Sequence, residues 1–506
     1  MRVKYPLNYR LQAPPVLGDC LLFGAIVGAL GTLTACPAEP MSDETSTTML
    51  TITTLPLDTS DSGDGDGDDT GCPPGGCLDL EETTGGPGCA SGDGTCNQVD
   101  LLFIIDNSGT MGEEQVNLSA NFPLLIDKLQ MLTDKDGELL NPDVHIMVTT
   151  TDVGHPQCTQ FQIPGYEPAV GSPQSTACSE RLEYFTGLGS NPPSFPEACD
   201  CPVPIVPSGA PFIEFSGPMG QTTNVPGDDI KGALSCIGPQ GIVGCGYEAP
   251  LEAMLQSIYT GAEWNSGNKP FLRDGAILAI AVITDEADCS VRSPDGYAYF
   301  TDPNLDTYWE VNPDTGTKSQ ATSAVCWNAG VDCGAPDGNG VYADCMSTDT
   351  GVLHPLSRYL NYLQDELIVK DNKEVIMLGI LGVPPVTAHN LNPPFEPTAG
   401  GVMDLVYRQW RDGAYPAGDI LPDDIADSDA ATKEFEFGVG PGCTGEDGMG
   451  GFTGQAIPPV RVKEVCEALN EGDKIRCCIE SICDTDFSDA LGCLTGIIQT
   501  VVDPPE

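Results

Sequence analysis

Three almost unbroken apolar runs constrain this chain more than any other feature: VDLLFIID at 99–106, AILAIAVIT at 276–284 and VIMLGIL at 375–381. A strand with one wet face alternates apolar and polar residues. A run without alternation is buried on both faces, as in the middle of a parallel sheet. A fourth strand is expected at 144–150, where His145 reads as structural. Residues 113–129, 248–259 and 353–367 carry apolar positions at helical spacing, and Pro123 predicts a kink in the first. Strands alternating with helices indicate an α/β, doubly wound, Rossmann-like fold with helices flanking the sheet. The connections at 155–240, 288–350 and 384–455 are long, loop-rich and full of Pro, Gly and Cys. Connections of that length need restraint of their own.

Cysteine supplies the restraint. The chain has 22 cysteines and only 4 histidines, which speaks for an oxidising compartment and against a multi-histidine metal cluster. Cys158, Cys178, Cys199, Cys201, Cys236, Cys326, Cys333 and Cys345 are expected to bridge the insertions. Disulfide use of Cys158 outweighs a metal role beside His155. The adjacent Cys477 and Cys478 are expected in two separate bridges.

The N-terminus points to export. Arg2, Lys4 and Arg10 precede the apolar stretch CLLFGAIVGALGTLTA at 20–35, too short to span a membrane comfortably and suited to a signal peptide. It ends in Leu33-Thr34-Ala35-Cys36, which resembles a bacterial lipobox. By that resemblance residues 1–35 are removed and Cys36 carries lipid. Pro37, where sorting would place Asp for inner-membrane retention, implies the outer membrane of a bacterial cell envelope, periplasmic or surface-exposed. Loss of Cys20 and lipidation of Cys36 leave an even number of cysteines, as full pairing requires. Residues 36–97 then form a flexible linker rich in Thr, Ser, Asp and Gly. Its Asp/Gly alternation is not a calcium loop: counting from Asp64, position six is Asp69 and position twelve is Gly75. Residues 98–506 form one folded unit with cysteine-rich insertions and a C-terminal extension.

With 21 Lys and Arg against 74 Asp and Glu, the net charge of −53 excludes a nucleic-acid partner held by a basic surface. No GxSxG, HExxH or phosphate-binding loop occurs, and no carboxylate pair stands out for acid–base work, so an enzyme is not expected.

One constellation carries chemistry. Asp106-x-Ser108-x-Thr110 follows the first buried strand, and Asp285 ends another. In an open α/β sheet such positions meet at the carboxyl edge, where ligands bind. One carboxylate and two hydroxyls on a tight turn offer oxygen to a hard divalent cation, Mg²⁺ or Ca²⁺. The simpler alternative is that Asp106 and Ser108 cap the following helix.

Here the chain resembles the von Willebrand factor A (vWA) family over about residues 98–385. In that family a DxSxS turn, a threonine from a later loop and an aspartate after a central strand form the metal-ion-dependent adhesion site, or MIDAS. The resemblance implies Asp106, Ser108 and Thr110 as direct ligands and Asp285 as an outer ligand through water. Thr110 replaces the second serine. The later-loop threonine has no counterpart, since that segment reads Gly244-Cys245-Gly246-Tyr247-Glu248. Either Glu248 supplies that oxygen or the site has one ligand fewer; Thr150, Thr151 and Asp152, at the end of the second strand on the same edge, are further substitutes. Glu286 and Asp288 read as solvated loop residues. The segments GCGYEAPLEAM, ITDEADCS, VGPGCTG, AIPPVRVKEVC and SICDTDFSDAL are similar to cysteine-rich vWA lipoproteins of predatory and soil-dwelling delta-type bacteria. The implied function is capture of a protein or surface ligand that offers a carboxylate to an under-neutralised cation. The alternative is a metal-free scaffolding protein of the envelope.

Overall fold

The computed structural model describes residues 97–502 apart from 134–137, 161, 188–191, 218–221, 423–427 and 447–450. The signal segment, the lipidation residue Cys36, the linker and its Cys72, Cys77, Cys89 and Cys96 lie outside the described residues.

β1 (Gln98–Ile105) leads through a turn into α1 (Gly112–Gln130) and back into β2 (Asp143–Thr150). A long excursion contributes β3 (Ile213–Ser216), β4 (Thr222–Thr223) and α2 (Ile230–Ile237) before α3 (Pro250–Ile258) and β5 (Ile277–Ile283). Next come α4 (Ala324–Gly330), the ribbon of β6 (Val331–Asp332) and β7 (Met346–Ser347), and α5 (Ser357–Leu360), which continues as a π-helix over Asn361–Lys370. β8 (Val375–Leu381) precedes the ribbon of β9 (Val386–His389) and β10 (Pro397–Gly400). α6 (Ala430–Phe437) separates it from the ribbon of β11 (Cys443–Glu446) and β12 (Phe452–Ala456). α7 (Val460–Glu467), β13 (Cys477–Ser481) and α8 (Ser488–Val502) follow.

Seven strands form one sheet in the order β13-β8-β5-β1-β2-β3-β4. The first five are parallel, and β3 and β4 add an antiparallel edge. The apolar runs sort by parity, as the two-residue period of a strand requires. Val99, Leu101, Phe103 and Ile105 pack with α1, α2 and α8, while Leu102 and Ile104 pack with α3, α5 and α7. β5 divides likewise: Ile277, Ala279, Ala281 and Ile283 face one layer, Leu278, Ile280 and Val282 the other. Both faces are therefore dry, and each fully buried Leu, Ile or Phe contributes about 1.5–3 kcal/mol.

The four expected strands match to within a residue at each end. The helices differ more. α3 starts at Pro250, which suits a first helical position, so Glu248 stays in the preceding loop. Pro355 delays the start of α5 past the expected 353, and α1 runs unbroken through Pro123. β13 was not anticipated. Its sequence CCIES has one aliphatic residue, yet all five residues are buried.

Eight disulfides join all sixteen cysteines of the described residues. In the β2–α3 insertion they are Cys158–Cys245, Cys178–Cys199 and Cys201–Cys236. Cys289–Cys326 and Cys333–Cys345 hold the β5–α5 connection. Cys466–Cys477 ties α7 to β13, Cys478–Cys493 ties β13 to α8, and Cys443–Cys483 ties β11 beyond β13. The adjacent cysteines thus enter separate bridges. Small apolar clusters beneath the insertions supplement these staples.

Candidate metal centre

Register assembles the site. Ile105 pairs with Thr150 on one side and Ile283 on the other, so the strands deliver their next residues to one line. The Asp106 N–H donates to Ile283 O (2.9 Å) and the Thr151 N–H to Ile105 O (3.3 Å). Asp106 therefore stands between Thr151 and Thr284. The chain leaves β1 toward β2 but leaves β5 toward β8, which makes the β1–β5 crevice the topological switch point where open α/β sheets bind ligands.

Asp106 is fully buried. Its Oδ1 accepts the Ser108 N–H (2.8 Å) and its Oδ2 accepts the Thr284 hydroxyl (2.5 Å). Ser108 Oγ and Thr110 Oγ1 lie 3.1 Å apart, and Thr110 also hydrogen-bonds Asp285. The four residues expected in one site are thus brought together. Helix capping is not their role: Met111 occupies the cap position of α1, with no side-chain capping bond.

The substitutes separate. Asp152 is consumed by the fold. Its Oδ1 accepts Gly154 N–H (2.8 Å), and its Oδ2 accepts the Tyr166 hydroxyl (2.8 Å) and Cys245 N–H (3.2 Å). The Thr150 hydroxyl accepts the Asp152 N–H (3.3 Å). The Thr151 hydroxyl donates to Glu248 Oε2. Glu248 is fully buried and its Oε1 has no partner. Asp285 Oδ1, Asn107 Oδ1 and Glu114 Oε2 are likewise buried acceptors without a donor.

Electrostatics follow. Burial, reinforced by repulsion between carboxylates, raises Asp106, Asp285, Glu248, Glu286 and Glu114. Asp106 is pushed to about 6, chiefly by desolvation and against the bonds from Thr284 and Ser108. Asp285 is pushed to about 8 by desolvation and the Asp106 charge. Glu248, Glu286 and Glu114 stand well above the usual carboxylate range for the same reasons. Among the described residues none of these five carboxylates pairs with Lys or Arg.

Two expectations fail here. Glu286 and Asp288 are buried rather than solvated, because the insertions roof the edge. Asp288 binds Arg461 (2.8 Å) and the Ser290 hydroxyl (2.6 Å). The Ile457 N–H donates to Asp285 O (2.7 Å), and the Ser323 hydroxyl to Gly246 O (3.1 Å).

Sequence reasoning missed Thr284, Gln115 and Glu114. Gln115 Nε2 donates to Asp106 O (2.8 Å) and Gly241 O (2.7 Å), while its Oε1 accepts Gln240 and Gly241 N–H, which clamps an insertion to the end of β1. Glu114 stands in the first turn of α1, where an acid at a helix N-terminus is unremarkable in sequence.

Among the described residues no three His, Cys, Asp or Glu side chains form a ready cage for a metal. A cation here would draw on hydroxyls as well. The donors fit a hard cation: carboxylate and hydroxyl oxygens only, with Asp285 Oδ1 and Glu248 Oε1 lacking donors. Searches against models of known protein families and against curated proteins find no match.

Proposed function

We propose that this protein is a lipid-anchored envelope lipoprotein whose vWA-like domain binds a protein or surface ligand through a divalent cation. One observation carries the reading. DxSxT after β1 and Thr-Asp-Glu after β5 meet at the switch point, inside a group of buried carboxylates that have no basic partner among the described residues. Asp106, Ser108 and Thr110 would hold Mg²⁺ or Ca²⁺, with Asp285 behind them. A bound cation supplies a point of positive charge to which a ligand carboxylate can attach. The chain's acidity repels acidic partners at long range, so the reading calls for a partner with a basic rim around one carboxylate.

Calorimetric titration of Mg²⁺ and Ca²⁺ should reveal one site. Asp106→Ala should abolish it, and Asp285→Ala should weaken it less, with both variants folded. Unchanged binding in folded Asp106→Ala would sink the assignment. A pull-down with and without EDTA then reads the partner. The alternative is a metal-free scaffold, and the donors already satisfying Asp106 favour it. Absence of binding at millimolar cation would select it.

Anchoring is a separate expectation. Among the described residues no helix is long and apolar enough to cross a membrane. Cys36→Ser should release the protein from the membrane fraction. Retention through a high-salt wash would remove the lipid anchor from the proposal.

A further inference from the structure

We propose that Glu248 is this chain's own carboxylate ligand at the cation site, held in the coordination position that a partner's acid would take. The inference rests on the cation-binding reading above and assigns how that site is regulated.

The loop carrying Glu248 is docked on the DxSxT turn. Gly244 N–H donates to Asn107 O (2.8 Å). A Cβ at Gly244 would sit 2.2 Å from Asn107 Oδ1, so only glycine permits that approach. Cys245 is tied to Cys158 and donates its N–H to Asp152, which fixes the loop from the side of β2. Glu248 then hangs from two further bonds. Its backbone oxygen accepts Cys289 N–H (2.6 Å), and its Oε2 accepts the hydroxyl of Thr151, the residue beside Asp106. Its other oxygen is fully buried and unpartnered. A buried carboxylate oxygen without a donor costs free energy unless something positive meets it.

Charge counting gives the consequence. With Asp106 in direct contact and Asp285 behind it through water, a divalent cation stays under-neutralised. Glu248 adds a third negative charge, which removes the electrostatic demand for a ligand's carboxylate. The site is closed by its own side chain, and an outside acid must displace Glu248.

The test is calorimetry of Ca²⁺ and Mg²⁺ with the full-length protein, with thermal unfolding in EDTA as a check on folding. Glu248→Gln keeps the shape and the acceptor for Thr151 but removes the charge. It should weaken cation binding roughly tenfold or more. Glu248→Ala should lose as much and regain it when acetate is added, since acetate can enter the vacated position. Wild type should not respond to acetate. If Glu248→Gln binds as tightly as wild type, Glu248 is not a ligand, although the site stands. If wild type binds no cation, the parent reading fails and this inference with it. Should Glu248→Ala not fold, Glu248→Gln alone decides.

Discussion

The two edges of the sheet bury acids equally well and treat them in opposite ways. At the amino edge each buried carboxylate has a base. Asp100 receives Arg273 Nε (2.7 Å) and the Arg273 N–H (2.7 Å), with Lys373 at 4.0 Å. The half-buried Asp143 also receives Arg273 at 3.0 Å. Glu374 receives Arg476 (2.6 Å) and Lys474 (2.9 Å). Even so, desolvation holds Asp100 above the usual carboxylate range against the pull of Arg273 and Lys373. At the carboxyl edge Asp106, Glu114, Glu248, Asp285 and Glu286 have only hydroxyls, N–H groups or nothing. Asp288 shows that the omission is local, because three residues beyond Asp285 it is paired with Arg461. A chain with 21 basic residues to 74 acidic ones places several of them to neutralise buried acids elsewhere and, among the described residues, none on the switch-point cluster. Structural burial and a reserved place for a mobile cation would differ in this way.

The largest expected effect breaks the compensated edge. Arg273→Ala leaves the fully buried Asp100 with only Lys373 at 4.0 Å, and should cost about 3–5 kcal/mol in urea unfolding. Pairing it with Asp100→Asn should recover part of the loss, since removing both charges is cheaper than removing one. A cost below roughly 1 kcal/mol would mean that the amino-edge pairs do not set the stability of their acids.

At the carboxyl edge the equivalent surgery should change sign. Asp285→Asn keeps the shape and removes one of two repelling carboxylates. In EDTA it should raise stability by about 1 kcal/mol, and it should shrink the rise in melting temperature that Ca²⁺ or Mg²⁺ gives to wild type. Destabilisation of the metal-free protein by this change would show that Asp285 is held by contacts worth more than its repulsion.

The difference between the edges also explains what could be read without the fold. The location of the site was legible, because a buried strand followed by DxSxT and another followed by TDE need only be neighbours to converge. Glu248 is a candidate in sequence because its segment lacks a hydroxyl, and the fold buries it against Thr151. Thr284 is not, since a threonine closing a β-branched strand looks like strand propensity. Gln115 and Glu114 lie on an ordinary amphipathic helix, and their roles depend on insertions that pattern cannot fold. The burial of Glu286 and Asp288 was misread for the same reason. β13 escaped because this edge strand has no hydrophobic run and is tied to α7 and α8 by disulfides. The cysteine arithmetic gave pairing but not partners, and the partners are set by which loops the sheet brings together.

The smallest expected effect is the pH profile of melting temperature in EDTA, in which buried acids and buried histidines act with opposite sign. Asp106 at about 6 and Asp285 at about 8 hold protons in the folded state at pH values where the unfolded carboxyls have lost them. Their contribution is full below the unfolded carboxyl range and is lost as pH rises through about 6 to 8. Glu434 and Glu480, both pushed to about 7 by burial, add to the same limb. His145, packed above the amino edge among Arg273, Asp143 and Lys269, is lowered to about 4 chiefly by desolvation. His155, inside the ring of Tyr247, Tyr297 and Phe300, is lowered to about 4 by desolvation alone. Their folded forms stay neutral while the unfolded chain takes up protons, so stability falls as pH drops from the ordinary histidine value near 6.5 toward 4. The four carboxyls should give an alkaline limb that falls by roughly 2 °C for each group as pH rises toward 8, and the two histidines an opposing acid limb between about 6.5 and 4 that offsets only part of it. A cation should flatten only the alkaline limb, and only the part owed to Asp106 and Asp285. Glu434 and Glu480 lie outside the switch-point cluster and should keep their share of the decline. Asp285→Asn should remove the cation-sensitive part and leave the acid limb untouched. An alkaline limb that ignores both the cation and Asp285→Asn would mean that the carboxyl edge takes no part in it, and the contrast between the two edges would then be one of geometry without electrostatic consequence.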